Sequence, residues 1–173
     1  MFDNIRKSFF NKALKAEQTT QKRTRKVVSL SGANTISVLF DGTNERYRKE
    51  VLDLILSFEK QGKKLKSLGF INTKKPPENL GFEHFSLKET KWTGQPNSEK
   101  ATAFSKEKTD LLLCFNPDKL DALTWIALAS QAGMKVGLAT DSIHDFDIQL
   151  DIPNDKSIRF FMDQLEHYLA KIK

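Results

Sequence analysis

The chain has 173 residues, 39% hydrophobic and 29% charged, which is the composition of a protein that buries one core. No run approaches the ~18 apolar residues of a membrane-spanning helix, and lysines interrupt MFDNIRKSFFNKALK where an export signal needs an unbroken apolar stretch, so a cytoplasmic location is expected. A single Cys114 excludes an intramolecular disulfide and, with three scattered histidines, a zinc cluster; the net charge of +6 excludes neither nucleic acid nor an anionic surface as partner.

In chain order, Phe2, Ile5, Phe9, Ala13 and Ala16 recur at three- and four-residue spacing and predict an amphipathic helix over 2–18, its apolar face widened by Phe10 and Leu14. TTQKRTRKVV is basic and aperiodic, so residues 1–30 read as a basic helix and arm, and 31–173 as a single domain. TISVLF predicts a strand over 35–40, and Tyr47, Val51, Leu54, Ile55 and Phe58 a helix over 44–61 that Gly62 stops. KLKSLGFIN is a second strand, TKKPPENLG a loop, FEHFSL a short strand and KWTGQPN another loop. Asn97 or Ser98 caps a helix reaching about Ser105. DLLLCF, apolar at every position after its Asp110, is a strand buried on both faces. Pro117 and Asp118 suit the start of the next helix and Gly133 its stop. MKVGLA and the alternating FDIQLDI are strands, the second half-exposed, and residues 155–172 are a final helix.

Strands alternating with helices predict an α/β fold: a Rossmann-like three-layer domain with a mostly parallel sheet, preceded by the basic amphipathic helix. Ligands of such sheets sit at the strand carboxyl ends, which makes Asp41, Thr43, Asn44, Asn116 and Thr140 the candidate ligand-binding residues.

SVLFDGTNER resembles the D-x-D-G-T opening of a haloacid-dehalogenase phosphatase, but Leu39 stands where the attacking carboxylate must be. Asp41-Gly42 then serves as the turn into the helix, with Thr43 or Asn44 as its cap. No G-x-G-x-x-G and no Walker motif occurs. Asp145-Phe146-Asp147 matches a D-x-D pattern, and Asp141 and His144 lie close in sequence, but a polar loop leading into an edge strand accounts for them. No catalytic residue, metal-ligand set or cofactor is expected. Trp125 belongs to the core, whereas Trp92, in a Gly/Pro loop, suits either an anchor or a stacking surface.

The charge is unevenly placed. Residues 1–30 hold Arg6, Lys7, Lys12, Lys15, Lys22, Arg23, Arg25 and Lys26 against two acids, leaving twenty basic and twenty acidic side chains in the rest. A polyanion is therefore the expected partner of those eight residues: RNA, such as that of the ribosome, or an anionic membrane surface on which Phe2, Ile5, Phe9 and Phe10 would embed.

ISVLFDGTN, KSLGFIN, WTGQPNSEKATAFSKEKTDLLLCFN, WIALASQAGMKVGL and FDIQLDI resemble segments of an uncharacterised bacterial family, a domain of unknown function. That resemblance covers nearly the whole chain and implies a cytoplasmic α/β protein with no catalytic residues to carry over. KTDLLLCFNPDKLDALTWIALASQAGMKVGL is similar to a strand–helix–strand in the N-terminal half of heptosyltransferase-like glycosyltransferases. Those enzymes hold the sugar nucleotide with a second domain, for which this chain has no room, so the likeness implies a degenerate transferase-like site kept for binding.

Overall fold

A computed structural model of the chain describes residues 1–152 and 157–172. Among them six strands form one sheet: β1 (Thr35–Asp41), β2 (Lys64–Ile71), β3 (His84–Ser86), β4 (Leu111–Phe115), β5 (Met134–Leu138) and β6 (Ile148–Leu150). The order is β3-β2-β1-β4-β5-β6, and every neighbouring pair is parallel. This is the Rossmann-like arrangement, whose strand order reverses between β1 and β4. The alternation read in FDIQLDI holds: β6 is an edge strand with Ile148 and Leu150 buried around an exposed Gln149.

Helices cover both faces. On one, α2 (Glu45–Lys60) and α5 (Ile158–Lys171) bring Val51, Ile55, Phe161 and Leu165 against Ile36, Val38, Phe40, Leu113 and Val136. On the other, α3 (Glu99–Lys106) and α4 (Asp121–Ala129) bring Phe104, Leu123 and Ile126 against Leu39, Leu112 and Cys114. Successive side chains of a strand point to opposite faces, so β1 and β4 are apolar at most buried positions, and the buried Ser37 hydroxyl is paired with that of Thr109 at 2.9 Å. The final helix is described from Ile158; residues 155 and 156 of its expected start lie outside the described residues.

Helix α4 begins later than the sequence suggests. Pro117 and Asp118 belong to a turn tied by Asn116, whose Oδ1 accepts from Leu120 N at 2.8 Å and whose Nδ2 donates to the Leu120 carbonyl at 3.1 Å. That turn puts Lys119 at φ 54°, a left-handed backbone that interrupts any helix. The helix ends at Ala129, ahead of Gly133.

The first helix, α1 (Phe2–Thr20), lies outside α4. Phe10 and Leu14 are buried against Leu128, with Trp125 and Ile143 beside them. The docked face is thus the Phe10–Leu14 edge. Phe2, Ile5 and Phe9, which belong to the apolar face read in the sequence, remain exposed.

After α1 the chain crosses the amino ends of β4 and β5 as a strap. Lys26 N donates to the Gly133 carbonyl at 2.9 Å, and the Lys26 side chain passes so close that a Cβ on Gly133 would sit 2.6 Å from its Cγ. Arg23 is the anchor, with 2% of its side chain exposed. Its Nε donates to Asp145 at 2.8 Å, its Nη1 to the carbonyls of Ala132 and Gly133, and its Nη2 to Asp147 at 2.9 Å and the Asp145 carbonyl. Arg25 pairs with both aspartates and Lys26 with Asp110. Below them Lys135 of β5, fully buried, donates to the carbonyls of Ala127 and Leu128 at 2.8 Å and reaches Asp145 at 3.4 Å. Those carbonyls belong to the last turn of α4, where a cation meets the negative end of the helix dipole.

Truncating Arg23 would strand Asp145 and Asp147 with a large part of their compensation gone. Arg23→Ala should therefore lower stability by about 3–5 kcal/mol in urea unfolding. The pH profile follows from the same groups. The hydrogen bond from Lys26 pulls the Asp110 carboxyl down; burial pushes Asp145 and Asp147 up, but Arg23 and the neighbouring cations outweigh it, so both end low. Their stabilisation is complete above the unfolded carboxylate value near ~4 and is lost as pH falls through the folded values. Burial, only partly offset by Asp145, lowers Lys135 to about 8, so the folded state loses this proton first and stability gains from Lys135 as pH climbs past about 8. Burial raises Cys114 to about 12 and also raises Tyr47; both act oppositely once the unfolded groups ionise, from about pH 8.5 upward. The difference between wild type and Lys135→Met, followed by denaturant unfolding from pH 7 to 10 (roughly the span of these values), should isolate the lysine's rising contribution.

Candidate functional site

The residues that the sequence marks at the strand carboxyl ends build turns. Asp41 is buried at the end of β1, and its Oδ1 accepts from Thr43 N at 2.9 Å. Thr43 Oγ1 accepts from Asn72 N at 2.9 Å, and the Asn44 side chain caps α2 by accepting from Tyr47 N at 3.1 Å. The Asp-Gly turn and the cap are as the sequence predicts, with Asn44 as the capping residue. The carboxylate of Asp41 already occupies the turn that an anion would need. Asn116 ties the β4–α4 turn, and Thr140 Oγ1 accepts from Ser142 N at 3.1 Å. Each of these five residues accepts a backbone N–H with its side chain at the carboxyl edge of the sheet, and Thr43 and Asn44 do so while exposed.

Beside them lies a cleft of about 600 Å³, across the carboxyl ends of β2 and β4 on the α4 side. One wall is the first turn and a half of α1, with Asn4, Arg6 and Lys7; the others carry Asn72, Lys91, Trp92 and Lys119. The volume is that of a small-molecule site. Arg6 holds the wall in place: its Nη1 donates to Asp121 and to the Thr93 carbonyl, both at 2.9 Å. Lys7 reaches the other oxygen of Asp121 at 2.5 Å. Gly94 permits this approach, for it has φ 99° and a Cβ there would meet Arg6 Nη1 at 3.0 Å.

The charge of the cleft is positive. Asp121 is consumed by Arg6 and Lys7, and Asp3 is the other acid of the lining. Lys91 has no carboxylate partner among the described residues, and Lys119 has Asp141 at 3.8 Å, with both side chains exposed. Lys119, the left-handed residue of the β4–α4 turn, also lines a smaller apolar cavity of about 210 Å³ on the α5 side with Phe115 and Phe161. The cleft lining offers no histidine, cysteine, serine or tyrosine, and the Thr90 hydroxyl donates to the Leu87 carbonyl at 2.7 Å. Cys114 lies elsewhere; buried, with its thiol pushed up to about 12, it is no nucleophile.

The D-x-D aspartates, Asp145 and Asp147, receive Arg23 and Arg25. Among the described residues no group of three or more His, Cys, Asp or Glu side chains is placed to hold a metal ion. Of the eight basic residues of the N-terminal segment, Arg6, Lys7, Arg23, Arg25 and Lys26 form ion pairs with four aspartates of the body. Lys12, Lys15 and Lys22 are exposed and have no such pair among the described residues. Among those residues no helix is long and apolar enough to cross a membrane.

Asn72, Lys91 and Lys119 escaped the sequence-derived set because none sits in a motif, whereas Trp92, read in the sequence as an anchor or a stacking surface, lines the cleft. The signal that could have found Lys119 was its place directly after the Asn-Pro-Asp turn that ends β4.

No curated protein and no solved structure matches the chain. The match that exists takes in all of α1 but its first four residues, the strap and the whole sheet: residues 6–172 fit the model of the family of unknown function DUF6913, and the chain belongs to that family.

Proposed function

We propose that the protein is a binding protein without catalytic chemistry of its own, and that the cleft between α1 and the carboxyl ends of β2 and β4 takes a small anionic ligand such as a nucleotide or a sugar phosphate. The observation that carries this reading is the pairing of cations and an aromatic ring around one cleft of fitting volume. Lys91 and Lys119 supply charge for a phosphate, Asn72 supplies an exposed amide, and Trp92 offers an apolar edge to a base or sugar. The cleft lies where parallel α/β sheets bind their ligands, and its lining lacks a nucleophile paired with a base.

A second reading, engagement of RNA by the N-terminal segment, is favoured by the exposure of Lys12, Lys15 and Lys22. The ion pairs of the other five basic residues narrow it to three phosphate contacts. On a single strand, three contacts correspond to a slope of about −2 in log affinity against log salt, and eight to about −6. Titration of labelled single-stranded RNA at several salt concentrations separates the two. A slope near −2 that Lys12→Gln, Lys15→Gln and Lys22→Gln together abolish supports the narrowed reading; no binding at low salt removes RNA from consideration.

The cleft is tested by thermal shift against inorganic phosphate, nucleotides and sugar phosphates. A ligand present at a hundred times its Kd stabilises by about 2.7 kcal/mol, which raises Tm by about 5 °C or more for a chain of this size. Lys91→Ala with Lys119→Ala should leave the unliganded Tm within about 1 °C, both side chains being exposed, and cancel the shift. Absence of a shift across the whole panel would overturn the assignment.

A further inference from the structure

Helix α1 carries two apolar stripes and buries one. Phe10 and Leu14 face α4, whereas Phe2, Ile5 and Phe9 face outward with 72%, 47% and 54% of their surface exposed. Trp92 joins them from the loop after β3, 59% exposed, with its ring centroid 6.1 Å from that of Phe2 and 5.7 Å from that of Phe9. Scattered exposed apolar residues need no explanation, and Leu56 on α2 and Tyr168 on α5 are of that kind. Four large apolar side chains gathered at one end of one helix are different: such a patch marks an interaction surface.

Its surroundings are basic. Lys12 and Lys15 follow on the outward side of α1, and Lys91 precedes Trp92. The nearby acids are Asp3, which is exposed, and Glu89, whose carboxylate is engaged by Ser86 N at 2.8 Å. The patch is also held rigidly. Arg6 and Lys7 clamp α1 to Asp121, and Phe10 and Leu14 seat it on α4. Presenting the stripe therefore requires no folding on contact.

From this convergence of an exposed aromatic cluster with an unopposed row of lysines, we infer that the Phe2–Ile5–Phe9–Trp92 patch docks on an anionic lipid surface. Phenylalanine and tryptophan rings enter the boundary between headgroups and acyl chains, and the lysines reach the lipid phosphates. RNA fits this patch less well. Bases stack on free ring faces, but these three rings pack on one another at 44° and 64° and form a knob. A second copy fits less well too, because an isologous contact would bring two excesses of lysine together. Trp92 and Lys91 belong to both the patch and the cleft lining, but Phe2, Ile5 and Phe9 lie outside that lining, and the inference does not rest on the cleft assignment.

The test is co-sedimentation of the full chain with phosphatidylcholine vesicles, with and without phosphatidylserine, together with tryptophan emission of a Trp125→Phe variant in which Trp92 is the sole reporter. The expected result is binding to the anionic vesicles that weakens with salt, a blue shift of Trp92 emission, and a loss of about ten-fold or more in binding for Phe2→Ser with Phe9→Ser. Both phenylalanines are exposed, so the double variant should keep its far-ultraviolet spectrum; Lys12→Gln with Lys15→Gln should weaken binding through charge alone. Failure to sediment with anionic vesicles would overturn the inference, as would binding that the Phe2/Phe9 variant retains in full. A dimer in solution that shields Trp92 and leaves its emission unmoved by vesicles would overturn it in favour of a second copy, and RNA binding lost in the Phe2/Phe9 variant without vesicle binding would overturn it in favour of nucleic acid.

Discussion

Nine residues of helix α4, DALTWIALA, include two polar side chains, so burying one face on the sheet leaves the opposite face apolar as well. A helix hydrophobic all round must be covered from outside, and α1 supplies the cover with Phe10 and Leu14. The direction of α1 then sets much of the rest. Running alongside α4, it brings Arg6 and Lys7 to Asp121 in the first turn of α4, and it delivers the following segment to the amino ends of β4 and β5, where Arg23 meets Asp145 and Asp147. The N-terminal segment is a third layer over one face of the fold.

That layer explains the charge asymmetry. The neutral body carries Asp110, Asp121, Asp145 and Asp147 on the side that receives the strap, and five cations of the N-terminal segment answer them. Buried ion pairs seldom add much stability over apolar residues of the same shape, because desolvation offsets attraction. Their better-supported use is to define register. The fan of donors on Arg23 fits one position of the strap, and a slip by one residue would bury Thr24 or Lys22 where a guanidinium bridges two carboxylates and three carbonyls. Lys135 completes the arrangement from below. Among the described residues no buried side-chain donor or acceptor lacks a partner, which is the condition for such a network to persist in a core.

The sheet was legible in the sequence because its rules are local. A short apolar run such as LLLCF, following helix α3 and ahead of the Asn-Pro-Asp turn, fits a strand covered on both faces, and the intervening helices announce themselves by period and cap. The Asp-Gly turn after β1 was legible for the same reason, its chemistry lying within four residues. The side of α1 that docks was not. Its apolar residues span more than one face, and only the partner helix decides that Phe10 and Leu14 go inside while Phe9 stays out. The start of α4 was misplaced because Pro117 and Asp118 suit a first turn equally well as a loop, and the side-chain ties of Asn116 are tertiary choices. The candidate site escaped for a related reason. Residues at strand ends are read as ligand groups or turn builders by the same rule, and here Asp41, Thr43 and Asn116 spend their polar atoms on the turns while less conspicuous neighbours line the cleft.

Because α1 is both the cover of α4 and a wall of the cleft, docking and occupancy are linked. A ligand held in the proposed cleft by Asn72, Lys91, Trp92 and Lys119 would be closed in by the α1 wall only with α1 seated, so it would stabilise the seated state, and whatever loosens the seat would weaken the ligand by the same factor. The anchors of that seat are spread along the whole segment, from Arg6 at the carboxyl edge of the sheet to Lys26 at the amino edge. On the proposed reading, a charge change at the strap would reach the cleft only through the position of α1. The basic segment, read in the sequence as an arm, is in the fold docked by ion pairs at both ends of the sheet, from Asp121 to Asp110.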